Sequence, residues 1–360
     1  MAAVVAAGGC RAHEPVPGPR TERANEPARP ADTATAAAAP EPRQRVDDTA
    51  PVYGGSGIAW PATARTSPRP PVLGAVVTTA RVALAGGGTL PAGLTLPRVG
   101  GTPGAPDVLS PCAHQVTLAG PEFRLLPPRS AGELLVVLDP GHGGHESGAV
   151  APDGTRESSR VLELAGAVGD SLAGRVDRVV LTRVTDTDTS LAFRVALADA
   201  LDASLALSVH LNNGADGESP VPGTEVFGAT SDPGGRRVAG VLYQAERRYL
   251  DAFTSQVGGR WAANRDAGAL YRLGSRGDYY YLLRNSHVTW AISESVYLSR
   301  AEEAALIARA DVRAGLATAI ADGVVALSRT SESGSGWRVP IQRPADPDPP
   351  PAQQVCTDPT

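Results

Sequence analysis

The second half of the chain predicts an α/β domain, three-layered, with a mainly parallel twisted sheet and helices on both faces. Three observations carry that expectation. Apolar runs at residues 134–138 (LLVVL), 178–182 (RVVLT) and 204–209 (SLALSV) are too short for ordinary helices and rich in branched side chains, as fully buried strands are. Between them Val161, Leu164, Ala165, Val168 and Leu172 recur at helical spacing, and residues 191–201 make a second helical stretch. The connections are short, and alternating strands and helices with short links imply parallel pairing.

The first strand run ends in Asp139, Pro140, Gly141, His142, Gly143 and Gly144, where glycines permit positive φ and close backbone approach. Ligands bind at the strand tips of open α/β sheets, so His142 stands where chemistry is usually done. Glu157 follows at the head of the first helix, and the run at 204–209 delivers His210, then Leu211, Asn212 and Asn213. Two histidines and one carboxylate at strand ends are the donor set of a catalytic zinc site with an open fourth position. Taken singly, each reads as readily as structure: a hydrogen-bonded histidine, or a glutamate favoured by the helix dipole. A further strand-like run at 288–293 (VTWAIS) ends in Glu294, which supplies the base that metal-assisted hydrolysis needs.

DPGHGG, GTRES, TRVTDTDTSLAFR, SVHLNN and ISESVYLS, in this order, resemble the zinc-dependent N-acetylmuramoyl-L-alanine amidases of the amidase-3 group, which cut bacterial peptidoglycan. The resemblance covers about residues 133–329. It implies Zn2+ held by His142, Glu157 and His210, Glu294 as the catalytic glutamate, and a muramoyl-peptide substrate contacted by Arg284 and Asn212. Two other readings stand beside it: a peptidoglycan-binding regulator that is non-hydrolytic or needs an activating partner, and a zinc peptidase acting within the stem peptide.

The remaining catalytic block is read from its pattern. Arg183, Asp186, Leu191 and Arg194 read as structural, their charges fixing a loop. Residues 224–228 form a strand on which Glu225 is expected at the surface or edge, and 236–253 form an amphipathic helix. Some members of the resembled family carry an inhibitory helix hereabouts. The distance from Gly228 to Tyr271 leaves little room for one, so an open groove is expected. Tyr279, Tyr280 and Tyr281 with nearby arginines read equally as groove lining, where aromatic faces pack on sugars and arginine pairs with carboxylates, or as core and solvated rim. Ser299 to Glu302 reads as a capping box for a closing helix that packs through Val312, Leu316, Ile320, Val324 and Leu327.

The flanks are of another character. Gly 40 and Pro 32 in 360 residues are too many for uniform packing, which implies one domain with long irregular N- and C-terminal flanks. Residues 1–10 (MAAVVAAGGC) resemble the end of a lipoprotein signal, with Cys10 as candidate lipid anchor and 11–50 as a disordered tether. Residues 51–132 read as an extension, partly ordered at most, laying a hairpin or two on the domain, and 330–360 as a Pro-rich tail. If Cys10 carries lipid, Cys112 and Cys356 remain as a pair, which would suit an exported, cell-envelope protein. The alternative is two free thiols. A net charge of −5 argues against nucleic acid, no stretch is long enough for a transmembrane helix, and a monomer is expected.

Overall fold

The computed structural model describes residues 69–214, 222–259, 261, 267–338, 340–342 and 355–360. The lipid-anchor and tether expectations for Cys10 and residues 11–50 lie outside them.

The first element corrects the sequence reading. Seven strands, β1 (Ala75–Thr78), β2 (Val82–Leu84), β3 (Thr89–Leu90), β4 (Thr95–Thr102), β5 (Ala105–Leu109), β6 (Gln115–Ala119) and β7 (Phe123–Leu126), form an antiparallel sheet in the order β3-β2-β6-β5-β4-β1-β7. Each strand is short and interrupted by glycine turns, so no single one shows a strong period. The reason they order is tertiary: Val76, Val82, Leu96, Val108 and Leu118, fully buried, share one apolar cluster with side chains of the following domain.

The second domain follows the expected alternation. A six-stranded sheet is built from β8 (Leu135–Pro140), β9 (Arg178–Leu181), β10 (Leu205–Asn212), β11 (Glu225–Gly228), β12 (Gly268–Leu270) and, after the short β13 (Arg272–Gly274) and β14 (Gly277–Asp278), β15 (Trp290–Tyr297). Its order is β12-β11-β15-β10-β8-β9, parallel throughout except where β11 runs antiparallel to β15. The helices are α1 (Glu157–Leu172), α2 (Leu191–Ala200), α3 (Pro233–Leu250), α4 (Tyr281–Asn285), α5 (Ala301–Ala308) and α6 (Ala310–Arg329).

Strand alternation sorts the core into two layers. Val136 and Leu138 of β8 and Leu207 and Val209 of β10 pack with α1, α3 and α6 through Leu164, Val168, Leu242, Leu316 and Ile320. Leu135, Val137, Ala206, Trp290 and Ile292 face the other way, onto Phe193 and Leu197 of α2 and onto the antiparallel sheet. Among the described residues α2 and the single-turn α4 serve that second face, and the antiparallel sheet covers what they leave.

Three smaller expectations are corrected. The closing helix is two, α5 and α6, broken at Arg309. Its capping box does not form, because the Ser299 hydroxyl accepts from Gly214 N (3.1 Å) and α5 begins without a side-chain cap. Glu303, fully buried, instead accepts from Tyr297 N at 2.9 Å. Finally, part of the tail is ordered: Trp337 is buried and stacks on Tyr271 at 5.8 Å, and β16 (Ile341–Gln342) pairs with β13.

Candidate metal centre and active site

His142 sits just beyond β8 on a backbone with φ of 56°, followed by Gly143 at 126° and Gly144 at 59°. A non-glycine residue in the left-handed region is strained, and such residues collect at functional sites. Two arginines hold it there. Arg183 donates from Nε to Pro140 O (3.0 Å) and from Nη2 to Gly141 O (2.6 Å) and Ser158 O (2.8 Å). Arg194 donates to Asp139 Oδ1 (2.5 Å), to Pro140 O (2.8 Å) and to the carbonyl of His142 itself (2.7 Å). Asp139, wholly buried, also accepts from Thr182 Oγ1 (2.6 Å) and Ser208 Oγ (2.5 Å). Asp186 and Asp188 accept from the backbone of Gly144 and His145. The loop-fixing role read for Arg183 and Arg194 thus has a definite object, the turn that presents His142.

Glu157 opens α1 and is held from both sides. Its Oε2 accepts from Ala149 N (2.8 Å) and its Oε1 from Leu211 N (2.9 Å). His142 Nε2 lies 3.2 Å from Oε2, and His210 Nδ1 lies 3.0 Å from Oε1. One donor atom from each of His142, Glu157 and His210 lies within 4.8 Å of the other two, and the two imidazoles meet edge to face with centroids 4.8 Å apart. Backbone space is part of the site: a Cβ at Gly141 would stand 2.2 Å from the His210 ring. Gly141→Ala is therefore expected to displace His210 and weaken metal binding by about ten- to a hundredfold, read by competition with a chromogenic chelator.

The charges suit a cation. Burial acts to raise the Glu157 pKa, but hydrogen bonds from His142 and His210 overcome it and hold the carboxyl well below its usual range. Burial keeps His210 on the neutral side. For His142 burial works downward, yet hydrogen bonding to Glu146 and Glu157 pushes the pKa up to about 9. Two imidazoles and one carboxylate, with a cavity of about 230 Å3 beside the histidines, fit zinc in an open catalytic site.

Glu294 is not at a strand end, as the sequence reading has it. β15 continues three residues beyond, and Glu294 stands opposite His210 on one side and opposite Glu225 on the other. One row across three strands therefore carries a metal-ligand candidate and two carboxylates. Burial, with the negative charges of Glu157 and Glu225, raises the Glu294 pKa well above the usual carboxylate range. Its Oε2 is buried with no hydrogen-bond partner. A buried polar atom left so is poised for a group that arrives with substrate.

Glu225 is the clearest miss of the sequence reading. Expected at the surface, it is 2% exposed and accepts from the Tyr297 hydroxyl at 2.5 Å. Arg272 lies 3.6 Å from it, with its guanidinium 4.5 Å from the Phe227 ring centroid and also over Tyr279 and Tyr280. The tyrosine and arginine cluster is thereby engaged within the protein. Arg284 donates to the carbonyls of Asp278 (2.6 Å) and Tyr279 (2.9 Å), and the Asn212 carbonyl accepts from Leu298 N (2.9 Å). Neither residue lines the cavity beside the histidines, whose walls include Glu146, Asp188, Leu191, Arg194 and Leu282.

Behind β15, on the α3 side, Ser293 and Ser295 donate to the buried Glu246 at 2.6–2.9 Å. Burial lifts its pKa to about 7, against 4.5 for the free side chain. The folded protein then holds a proton that the unfolded chain releases between those values, so stability falls as pH rises from 4.5 to 7. The whole effect is about 3 kcal/mol. Glu246→Gln is expected to flatten that part of the pH profile of the urea midpoint, and an unchanged profile would remove Glu246 as its source.

The fold and this site are those of an α/β domain in which two histidines and a carboxylate that could hold a metal ion converge beside a buried acid. Residues 136–326 match the family model described as N-acetylmuramoyl-L-alanine amidase (Amidase_3), and the chain belongs to that family and is an amidase. It is 28% identical over 231 residues to the N-acetylmuramoyl-L-alanine amidase AmiA of Escherichia coli (strain K12), covering 55% of this chain and 77% of that one. Against the amidase LytC of Bacillus subtilis (strain 168) identity is 29% over 197 residues, covering 54% of this chain and 35% of the other. Among solved structures, AmiC2 of Nostoc punctiforme aligns with 56% of this chain and 100% of its own, at 28% identity and a TM-score of 0.46.

Proposed function

We propose that the chain is a zinc-dependent hydrolase of the amide joining the lactyl group of N-acetylmuramic acid to L-alanine in peptidoglycan, acting as an exported monomer in cell-wall remodelling. The observation that supports it most is the convergence of His142, Glu157 and His210 with Glu294 on the adjacent strand, inside a domain of the amidase family. His142, Glu157 and His210 would hold the ion. Zinc bound there supplies a Lewis acid that polarises the carbonyl and makes water acidic enough to attack. Glu294 takes the proton of the attacking water and returns it to the departing amine of L-alanine. Glu157, gripped by two backbone amides, keeps its charge and orientation meanwhile.

Export is supported by the bond between Cys112 and Cys356, which belongs to an oxidising compartment. Among the described residues no helix is long and apolar enough to cross a membrane. The test is mass spectrometry of purified muropeptides after incubation with zinc-loaded protein. Free stem peptide and intact sugar are expected, with activity lost on chelation and restored by zinc. Cleavage within the peptide would instead identify a peptidase, and no cleavage at one equivalent of zinc a binding protein.

A further inference from the structure

The cavity beside His142 and His210 has a wall that the catalytic domain does not supply. Val355 and Cys356, from the C-terminal flank, line it together with Leu191 and Leu282. Three consecutive residues pin this segment. Cys356 is disulfide-bonded to Cys112 in the β5–β6 loop. Thr357 N donates to Asp188 Oδ2 at 2.9 Å, the carboxylate that also holds His145. Asp358 accepts from Ser110 Oγ (2.7 Å) and Cys112 N (2.8 Å) and lies 2.8 Å from His114 Nδ1. The anchors end where Val355 begins, and Val355 is left 68% exposed at the cavity lip.

An exposed valine alone means little, but here it is presented on a clamped backbone beside the reacting centre. We infer that the strap Val355–Asp358 is a substrate-positioning wall, with Val355 the residue that packs on the glycan half of the muramoyl-peptide. This rests on the amidase reading. The choice of half comes from charge. Glu146 and Asp188 line the same cavity as carboxylates. They repel the carboxylates of a stem peptide and tolerate a neutral sugar, whose C–H faces pack on apolar side chains. The positive charge of Arg194 does not offset them, because it is paired with the buried Asp139 carboxylate.

The experiment measures binding without turnover, by calorimetry on the zinc-loaded Glu294→Gln chain with two ligands, a disaccharide-tetrapeptide and the free tetrapeptide. Adding Val355→Asp is expected to weaken the disaccharide-tetrapeptide about five- to tenfold and to leave the free tetrapeptide unchanged. Val355→Leu should keep the tighter value. The Cys112→Ser/Cys356→Ser pair, which frees the strap, should weaken the same ligand in the same direction. In the otherwise native chain Val355→Asp should raise KM by a similar factor with kcat within about twofold. No change for the disaccharide-tetrapeptide, no binding of it at all, or equal losses for both ligands would overturn the assignment. Intact muropeptide after incubation with the native enzyme, alongside a preserved contrast in binding, would sink the hydrolytic reading and leave the wall standing.

Discussion

Replacing Glu294 by glutamine is expected to lower kcat on a muropeptide by about 10³-fold, the scale of a lost general acid–base group, while zinc stays at one equivalent. The separation follows from placement. His142, Glu157 and His210 form the candidate donor set without Glu294, which stands one strand over. Glutamine keeps the shape and cannot carry the proton. Metal analysis and steady-state rates on one preparation decide it. Loss of zinc together with turnover would mean that Glu294 helps hold the ion, and full activity would remove it from the mechanism. His142→Ala is expected to lose both.

Arg194→Met should be the most destabilising single change near the site, by about 3–5 kcal/mol, because it strands the buried Asp139 carboxylate. The same change removes the donor to the His142 carbonyl, so metal affinity should fall with stability. Asp139→Asn alone should cost less. In the double variant a large part of the loss should be recovered, as coupling between neighbours in one network requires. Urea unfolding of the four proteins gives the cycle, and strict additivity would show that the pair is not the strut it is here taken to be.

The parts of the site that were legible in the sequence are those whose chemistry and local structure coincide. His142 sits in a glycine-rich turn after a buried strand, Glu157 starts a periodic helix, and His210 closes a third apolar run. Their surroundings announced where they would lie. Glu225 did not, because a carboxylate between apolar neighbours in a strand looks the same whether it meets water or a tyrosine, and Tyr297 lies 72 residues on. Glu246 hides for the same reason, in a helix read only for its apolar stripe. Arg284 looked available beside the motif, and its guanidinium turns back onto the carbonyls of its own turn. The first sheet escaped because strands of two to eight residues carry little pattern, and only the uncovered face of another sheet makes them worth ordering. A pairing of Cys112 with Cys356 was one of two readings open if Cys10 carries lipid, and nothing in the sequence placed it against the cavity beside the two histidines.

That first sheet changes where the enzyme begins. Family boundaries invite a cut near residue 133, yet Leu135, Val137, Ala206 and Ile292 share their packing with Val76, Leu96 and Val108. A truncated recombinant product would carry a raw, oily flank of the size that drives self-association. The smallest piece worth expressing therefore starts ahead of Ala75, and a shorter one should be recovered from inclusion bodies.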